Sequence, residues 1–326
     1  MQVFGEFRSS STPLLSSLTH ANMSDSDFYL KTARYGKDLV RFMRVYRDGK
    51  VQRCAELTVR LLLEGDIETS YTKADNSVVV ATDTVKNTIN IFGKRSRNVE
   101  NIEVFAQELS THFLEKYAHL SSIHVDIVKH KWTRLIVDGQ PHPHSFVRDG
   151  EDIQTTSLDH YRQGNKMKIT SGLKKLLVLK TTGSAFYDFH RDEYTTLPEV
   201  WDRIFSTAVD CTWTFASSSP SVLRNIDYPA VHEGVRKITT DTFAKDESPS
   251  VQATLYLMQK QILTRFPEIA EVYYALPNKH YVGIDFSRFT KLNIDNTGKN
   301  MDTYYPQPDP SGLITATLAR KSLAKL

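Results

Sequence analysis

The strongest constraint on the fold is a run in which apolar side chains occupy every second position. Residues 57–63 carry leucine or valine at each odd position. Successive side chains of a strand point to opposite faces, so a period of two predicts a strand with one buried face. The Asp48–Gly49 pair before this run is typical of a hairpin turn. The first two elements are therefore predicted to form a β-hairpin.

Helical spacing follows this hairpin. Apolar residues recur three or four positions apart in 85–92 and again in 102–117, which predicts two amphipathic helices that cover one face of a sheet. The period of two returns at 123–127, and a turn signal follows at Asp138–Gly139. The first half therefore combines an antiparallel sheet with helices on one face.

The second half repeats this order. Strand patterns occur near 167–180 and 204–216, a helical pattern runs through 251–262, and strands are predicted on either side of Pro277. The chain is predicted to be an α+β protein with two tandem domains, 31–163 and 164–320. Open antiparallel sheets leave strand edges exposed, so we expect oligomerisation to close the sheets into a barrel.

Composition excludes several classes of function. The 326 residues carry a formal net charge of only +3, which disfavours a nucleic-acid partner. No stretch approaches the roughly 20 apolar residues that a membrane span needs. Two cysteines are too few for a disulfide framework in a chain of this length. No glycine-rich dinucleotide or phosphate-binding motif is present, which disfavours flavin, nicotinamide and nucleotide cofactors.

The two ends of the sequence differ in character. Residues 1–30 are rich in serine and show no sustained period, which predicts a disordered N-terminal extension. The C-terminal tail, 321–326, ends in Ala324-Lys325-Leu326, a tripeptide of the peroxisomal address type. Such a tail predicts recognition by the peroxisomal import receptor.

Several separate motifs, in order along the chain, resemble those of urate oxidases, the uricases. They comprise Thr82–Asp83 within the run 61–88, then Arg203, Val251–Gln252 and Asn278-Lys279-His280. The resemblance extends from about Ala33 to the C-terminus. It implies the tunnelling fold (T-fold), with two such domains in each chain, four chains around a β-barrel tunnel, and active sites between subunits.

The same resemblance implies a reaction. Uricases oxidise urate with dioxygen and water to 5-hydroxyisourate and hydrogen peroxide, and the family needs neither a metal nor an organic cofactor. Production of peroxide makes the peroxisome the favoured location. The partners implied are urate, dioxygen, other copies of the chain and the import receptor.

Four residues are implied to hold the substrate. Arg203 would bind the pyrimidine edge of urate, because a planar guanidinium gives two parallel hydrogen bonds and lysine does not. Gln252 would face it with one donor and one acceptor, Val251 would offer its backbone N–H, and Phe186 would stack on the ring. Taken alone, these positions would instead suggest a surface ion pair, a polar residue in a first helical turn and a core aromatic.

The remaining residues are implied to act on protons and small molecules. Thr82 and Asp83 would meet the five-membered ring of urate from the neighbouring subunit, although such residues at a helix start are most often caps. Lys37, Thr82 and His280 would form a proton relay. Asn278 would hold water or dioxygen above the ring.

Alternative functions stay open at this point. The chain could be a non-catalytic purine-binding homologue, another T-fold purine or pterin enzyme that uses a metal, or a structural oligomer without a ligand. The His142-Pro143-His144 pattern suggests a metal site, but no cysteine or carboxylate in the sequence completes an obvious ligand set. We therefore predict no metal.

Overall fold

The computed structural model describes residues 28–321. The predictions for residues 1–27 and for the tail that ends in Ala324-Lys325-Leu326 lie outside the described residues. The strands are β1 (Tyr35–Tyr46), β2 (Arg53–Gly65), β3 (Leu120–His130), β4 (Thr133–Val137), β5 (Gln140–Val147), β6 (Ile153–Tyr161), β7 (Lys166–Lys180), β8 (Phe205–Phe215), β9 (Ile269–Gly283), β10 (Tyr304–Gln307) and β11 (Leu313–Ala319). The helices are α1 (Glu68–Thr72), α2 (Thr82–Arg95), α3 (Ile102–Lys116), α4 (Pro220–Leu223), α5 (Tyr228–Lys245) and α6 (Val251–Arg265).

One large antiparallel sheet organises the chain. Its order is β1-β2-β3-β6-β7-β8-β9, and β9 pairs along different parts of its length with β10 and β11. Strands β4 and β5 form a separate hairpin. The mixed α+β class and the antiparallel sheet predicted from the sequence are confirmed.

The core lies between this sheet and its helices. The apolar residues at odd positions in 57–63 are completely buried, as the period of two predicts. Helix α3 packs on β3 and β6, and α6 packs on β9 and β11. Asn101 caps α3 by accepting a hydrogen bond from the Val104 N–H at 3.3 Å. Burial of the leucine and valine face, at about 25 cal/mol per Å² of apolar area, is the main force that holds the layers together.

The two halves of the chain repeat one arrangement. In the first half, 34–161, a hairpin (β1, β2) is followed by α2 and α3 and then by β3 and β6; in the second, 166–319, β7, β8, α5, α6, β9 and β11 take these places. Equivalent bulges interrupt β1 after Lys37 and β7 after Leu173. The predicted domain boundary at 163/164 falls in the turn between β6 and β7. These two strands pair with each other. The division into two domains stays a prediction.

Two details of the second half differ from the sequence prediction. The prediction of separate strands on either side of Pro277 is wrong, because β9 runs through this proline without a break. The missing proline N–H is tolerated, since the chain resumes pairing at Asn278, whose N–H donates to the Gly312 carbonyl at 2.7 Å. Helix α5 was not predicted; its apolar residues are interspersed with buried threonines such as Thr239 and Thr242, which weaken the periodic signal.

Among residues 28–321, no helix combines the length and apolar character needed to cross a bilayer. Cys54 lies partly exposed in β2, and Cys211 is buried in β8; both are free thiols. Burial raises the pKa of the Cys211 thiol to about 12. This thiol therefore stays protonated and acts as a packing group.

Candidate active site

The start of β8 and the C-terminal part of β9 border a cleft of about 450 Å³. Strand pairing sets Ser206 opposite Lys279 and Thr207 opposite Asn278, so the segment just before β8 faces the predicted Asn278-Lys279-His280 motif. Arg203, Asn278 and His280 all line this cleft. The register between two strands more than 60 residues apart therefore brings three predicted site residues together.

Arg203 lies beside the predicted aromatic platform. Its backbone N–H donates to the Ser184 carbonyl at 2.8 Å, and its guanidinium carbon lies 5.4 Å from the centre of the Phe186 ring. The Phe189 ring stacks in parallel with the Phe186 ring, with the two ring centres 4.9 Å apart. Burial lowers the pKa of Arg203, but a guanidinium remains charged at any physiological pH.

The Arg203 guanidinium is not neutralised by its surroundings. Within the described part of the chain it makes neither an ion pair nor a side-chain hydrogen bond. A half-buried cation without a carboxylate costs free energy unless an anion comes to it. The Oδ1 atom of Asn278 is likewise buried with no partner among residues 28–321. Among the described residues, the Arg203 guanidinium and the buried Asn278 Oδ1 atom are thus both left without a partner.

Backbone contacts bring the start of α6 to the same place. The Ala185 N–H donates to the Ser248 carbonyl at 2.8 Å, and the Ser248 N–H donates to the Gly183 carbonyl at 3.0 Å. Ser250 caps α6 and accepts from the Ala253 N–H at 3.2 Å. Val251 and Gln252 are the first residues of this helix, where backbone N–H groups have no intrahelical partner. The segment that carries Phe186 and the segment that carries Gln252 are thus fastened together.

The first half supplies a second group of predicted residues. Lys37 lies in β1 next to the bulge, and Thr82 and Asp83 open α2, whose N-cap is Ala81. Thr82 is therefore not the cap, and its exposed hydroxyl makes no hydrogen bond within the described residues. The pKa of Asp83 is lowered mainly by the hydrogen bond and charge of Lys86, with a further contribution from Lys37. Helix α2 packs on β1, the strand that carries Lys37.

A single chain does not join these two groups. Six strand spacings of roughly 4.8 Å separate β1 from β9, so Lys37 and His280 lie roughly 29 Å apart along the sheet. Hydrogen-bond reach is about 3 Å. The predicted relay from Lys37 through Thr82 to His280 therefore has no continuous path within one chain.

The sequence analysis missed one residue of this region, Asp202. Its carboxylate accepts hydrogen bonds from the Thr182 hydroxyl at 2.6 Å and the Gly183 N–H at 2.8 Å. The Thr182 hydroxyl is the main cause of a lowered pKa for Asp202. The only local signal was the Thr182–Gly183 turn at the end of β7, where Gly183 has a φ of 76°.

The histidines suggested as metal ligands lie elsewhere, in the hairpin of β4 and β5. The rings of His142 and His144 are 4.6 Å apart. Within residues 28–321, however, no group of three or more histidine, cysteine or carboxylate side chains is arranged to hold a metal ion. The prediction that the reaction needs no metal remains to be tested by experiment.

Fold and cleft together define a class of protein. An antiparallel α+β sheet presents a free guanidinium against an aromatic ring, with amide groups on neighbouring elements, and this set suits a flat, anionic, polar ligand. Comparison with known proteins then gives the family. The sequence model of the uricase family matches residues 33–159 and 169–315. The chain belongs to the uricase family.

Individual relatives agree with this assignment. The chain is 52% identical over 299 residues to the uricase of Aspergillus flavus, covering 90% of this chain and 98% of that protein. It is 49% identical over 296 residues to the uricase of Schizosaccharomyces pombe, with the same coverage. Among solved structures, the uricase of Arthrobacter globiformis superposes with a TM-score of 0.79 at 32% identity, covering 90% of this chain and 96% of that one.

Proposed function

We propose that the chain is a urate oxidase, which converts urate, dioxygen and water to 5-hydroxyisourate and hydrogen peroxide. The observation that carries this proposal is the free guanidinium of Arg203 beside the ring of Phe186, in a chain of the uricase family. Urate is a flat anion at neutral pH. Its charge would neutralise Arg203, and its ring would stack on Phe186.

The clamp that we propose for urate comes from the second half. Arg203 gives two parallel hydrogen bonds to one edge of the pyrimidine ring, and Gln252 faces it with an amide that both donates and accepts. The Val251 N–H adds a third donor. Purines with other exocyclic groups are rejected, because they would leave these buried polar atoms unpaired.

The chemistry that we propose needs no metal or organic cofactor. Removal of a second proton makes urate electron-rich enough to pass electrons to dioxygen one at a time. Lys37, Thr82 and His280 move the protons, and Asn278 holds water or dioxygen above the ring. The buried Asn278 Oδ1, an acceptor with no partner among the described residues, supports this last role.

The active site that we propose is shared between two copies of the chain. The separation of roughly 29 Å along the sheet between β1 and β9 supports a site in which Lys37, Thr82 and Asp83 come from a neighbouring subunit. The open sheet supports assembly, because Leu39 and Leu177 are exposed at 75% and 62%. A tetramer of four chains around a β-barrel tunnel would cover such residues and pair the sheet edges.

We also propose that the enzyme works in the peroxisome. The Ala324-Lys325-Leu326 tail is of the type that the peroxisomal import receptor reads. A reaction that releases hydrogen peroxide is suited to a compartment that degrades peroxide. Fusion of this tail to a fluorescent protein, compared with a fusion that lacks the last three residues, tests the address directly.

One assay separates the candidate functions. Protein treated with a chelator and then dialysed is mixed with urate, and the fall in urate absorbance is followed together with peroxide release. A urate oxidase consumes urate and releases an equal amount of peroxide. A non-catalytic homologue binds urate without consuming it, and a metal-dependent purine or pterin enzyme loses its activity after chelation.

A further inference from the structure

The segment 182–186, here named the strap, connects β7 to the aromatic ring of the candidate clamp. Its backbone is held at two places. Ser184 and Phe186 bond to 200–203, and Gly183 and Ala185 bond to Ser248. The strap therefore touches both the Arg203 segment and the approach to α6. Its position sets the distance between platform and guanidinium.

One side chain fastens the beginning of the strap. The Asp202 carboxylate uses one oxygen for the Thr182 hydroxyl, at 2.6 Å, and the other for the Gly183 N–H, at 2.8 Å. Asp202 directly precedes Arg203 in the chain. The Asp202 carboxylate thus holds the turn at Thr182 and Gly183, which leads to Phe186, next to Arg203.

Asp202 and Thr182 are both exposed to solvent. Loss of their hydrogen bonds would let water take the place of the missing partner, so the folded state loses little free energy. Binding by the clamp is more sensitive, because hydrogen bonds from a guanidinium weaken steeply when donor and acceptor are moved out of line. Because Asp202 and Thr182 are exposed, substitutions there should change substrate binding more than they change the free energy of unfolding.

We propose that Asp202 is a positioning residue for the substrate clamp, which holds the strap so that Phe186 and Arg203 meet urate in the correct relative placement. This inference rests on the proposed function. It assigns to Asp202 no contact with the substrate and no proton transfer.

A purely electrostatic role would give the opposite result. Asp202 lines the cleft, so its negative charge would repel an anionic substrate. If charge alone mattered, both Asp202→Ala and Asp202→Asn would bind urate more tightly. If hydrogen bonds to the strap matter, Asp202→Ala binds less tightly, whereas Asp202→Asn keeps an acceptor for Gly183 and stays near the wild type.

The test uses the full-length enzyme with urate and with the urate analogue 8-azaxanthine. For Asp202→Ala we expect KM for urate and Kd for the analogue to rise about tenfold, with kcat within about twofold. For Asp202→Asn we expect both constants within about threefold of the wild type. Thr182→Val, which removes one of the two hydrogen bonds without changing charge, should fall between them.

The control is Asp241→Ala. Asp241 is a second aspartate, which pairs with Lys237 and Lys245 on the surface of α5. It should leave KM and Kd unchanged. Melting temperatures of all variants should lie within about 3 °C of the wild type, since surface substitutions change stability little.

Three results would overturn the inference: an unchanged or lower KM in Asp202→Ala, an Asp202→Asn variant as impaired as Asp202→Ala, or a lower melting temperature as the only effect. Arg203→Ala, measured in parallel, separates this failure from failure of the proposed site. If Arg203→Ala weakens binding and Asp202→Ala does not, only the role of Asp202 is wrong. If neither weakens binding, the site itself is wrong.

Discussion

The candidate site residues in the two halves of the chain differ in how they are held and in which partners they already have. In the second half, strand pairing and the strap hold Phe186, Arg203 and Asn278 close together, and neither the Arg203 guanidinium nor the Asn278 Oδ1 atom has a partner among residues 28–321. In the first half, Thr82 and Asp83 lie exposed at a helix start, and Asp83 is already bonded to Lys86. This difference agrees with the proposal that the second half binds the anion and that the first half contributes its residues to the site of another chain.

The difference follows from sheet order. The two halves use the same arrangement of strands and helices, but β1 is an edge strand, whereas β9 pairs on both sides. Residues on an edge strand can face a neighbouring copy, while residues around β9 meet within their own chain. Two halves with the same arrangement therefore place their candidate site residues in different surroundings.

The largest expected effect comes from mixing two inactive enzymes. Lys37→Met and His280→Ala should each lower kcat by roughly 10²- to 10⁴-fold, because each removes a member of the proposed proton relay. If the halves of one site come from different chains, co-expression of both variants restores intact sites. Random assembly gives about one quarter of wild-type turnover.

The matched control for that experiment is a mixture of Lys37→Met with Thr82→Ala. Both substitutions lie in the same half-site, so no combination of these chains contains an intact relay. This mixture should stay inactive. If the mixture of Lys37→Met with His280→Ala also stays inactive while both assemble normally, the shared site is refuted.

The next effect concerns substrate binding. Arg203→Ala should raise KM for urate on the order of a hundredfold with a smaller change in kcat, because two charge-assisted hydrogen bonds are lost. Arg203→Lys should recover little, since an ammonium does not bind the ring edge at two points. Arg265→Ala is the control: Arg265 also lies over an aromatic ring, Phe266, at 5.3 Å, but outside the cleft. Steady-state kinetics measure these effects. If KM for urate is the same in Arg203→Ala and Arg265→Ala, Arg203 does not belong to the clamp.

Two equivalent glycines allow a direct comparison of the halves. Gly36 and Gly172 each precede the residue before a bulge, in β1 and in β7. A Cβ on Gly36 would lie 2.0 Å from the backbone oxygen of Leu61, whereas on Gly172 it would first meet the side chain of Thr155, at 2.6 Å. A side chain can rotate and a strand backbone cannot. Gly36→Ala should therefore lower the free energy of unfolding by about 3 kcal/mol and Gly172→Ala by about 1 kcal/mol.

Unfolding in urea checks this pair, together with turnover. Gly36→Ala should also lower kcat, because the displaced strand carries Lys37. An equal loss of stability in both variants would mean that β1 adapts as easily as a side chain does.

A pH dependence is expected at the junction of the halves. His232 on α5 lies 5.9 Å from the Trp213 ring, and burial, followed by the charge of Lys129 in the first half, lowers its pKa from 6.5 to about 4. Between pH 6.5 and 4, His232 is protonated in the unfolded chain but stays neutral in the folded chain. Stability should therefore fall by roughly 3 kcal/mol as pH drops through this window.

Melting curves from pH 7.5 to 4.5 test this, with His232→Gln as the variant that does not titrate. The wild type should lose more stability than the variant over that range. Parallel curves for the two proteins would show that His232 accepts a proton in the folded state.

Much of the fold was predictable from local patterns. The odd-numbered leucines and valines of 57–63 predict β2, because the side-chain period of a strand needs only neighbouring residues. The starts of α2 and α6 were predicted in the same way. Pro277 led to a wrong prediction, because a residue without an N–H usually ends a central strand. The pairing of β9 shows how this proline is accommodated.

The candidate site was predictable to a smaller extent. The order of motifs identified candidate residues such as Arg203 and Gln252. It did not show which of these residues contact one another. Asp202 was missed, because its function depends on Thr182 and Gly183, about 20 residues earlier in the chain. No local pattern marks such a contact.

The sequence by itself determined the strand and helix periods, the motif order and the uricase family, because each of these depends on residues that are near neighbours or that occur in a set order. The tertiary structure decided which motifs meet. Register between β8 and β9 brings Arg203 to Asn278, and sheet order keeps Lys37 far from both. Such meetings depend on pairing between segments tens of residues apart, and a one-residue shift in register would turn each side chain to the opposite face.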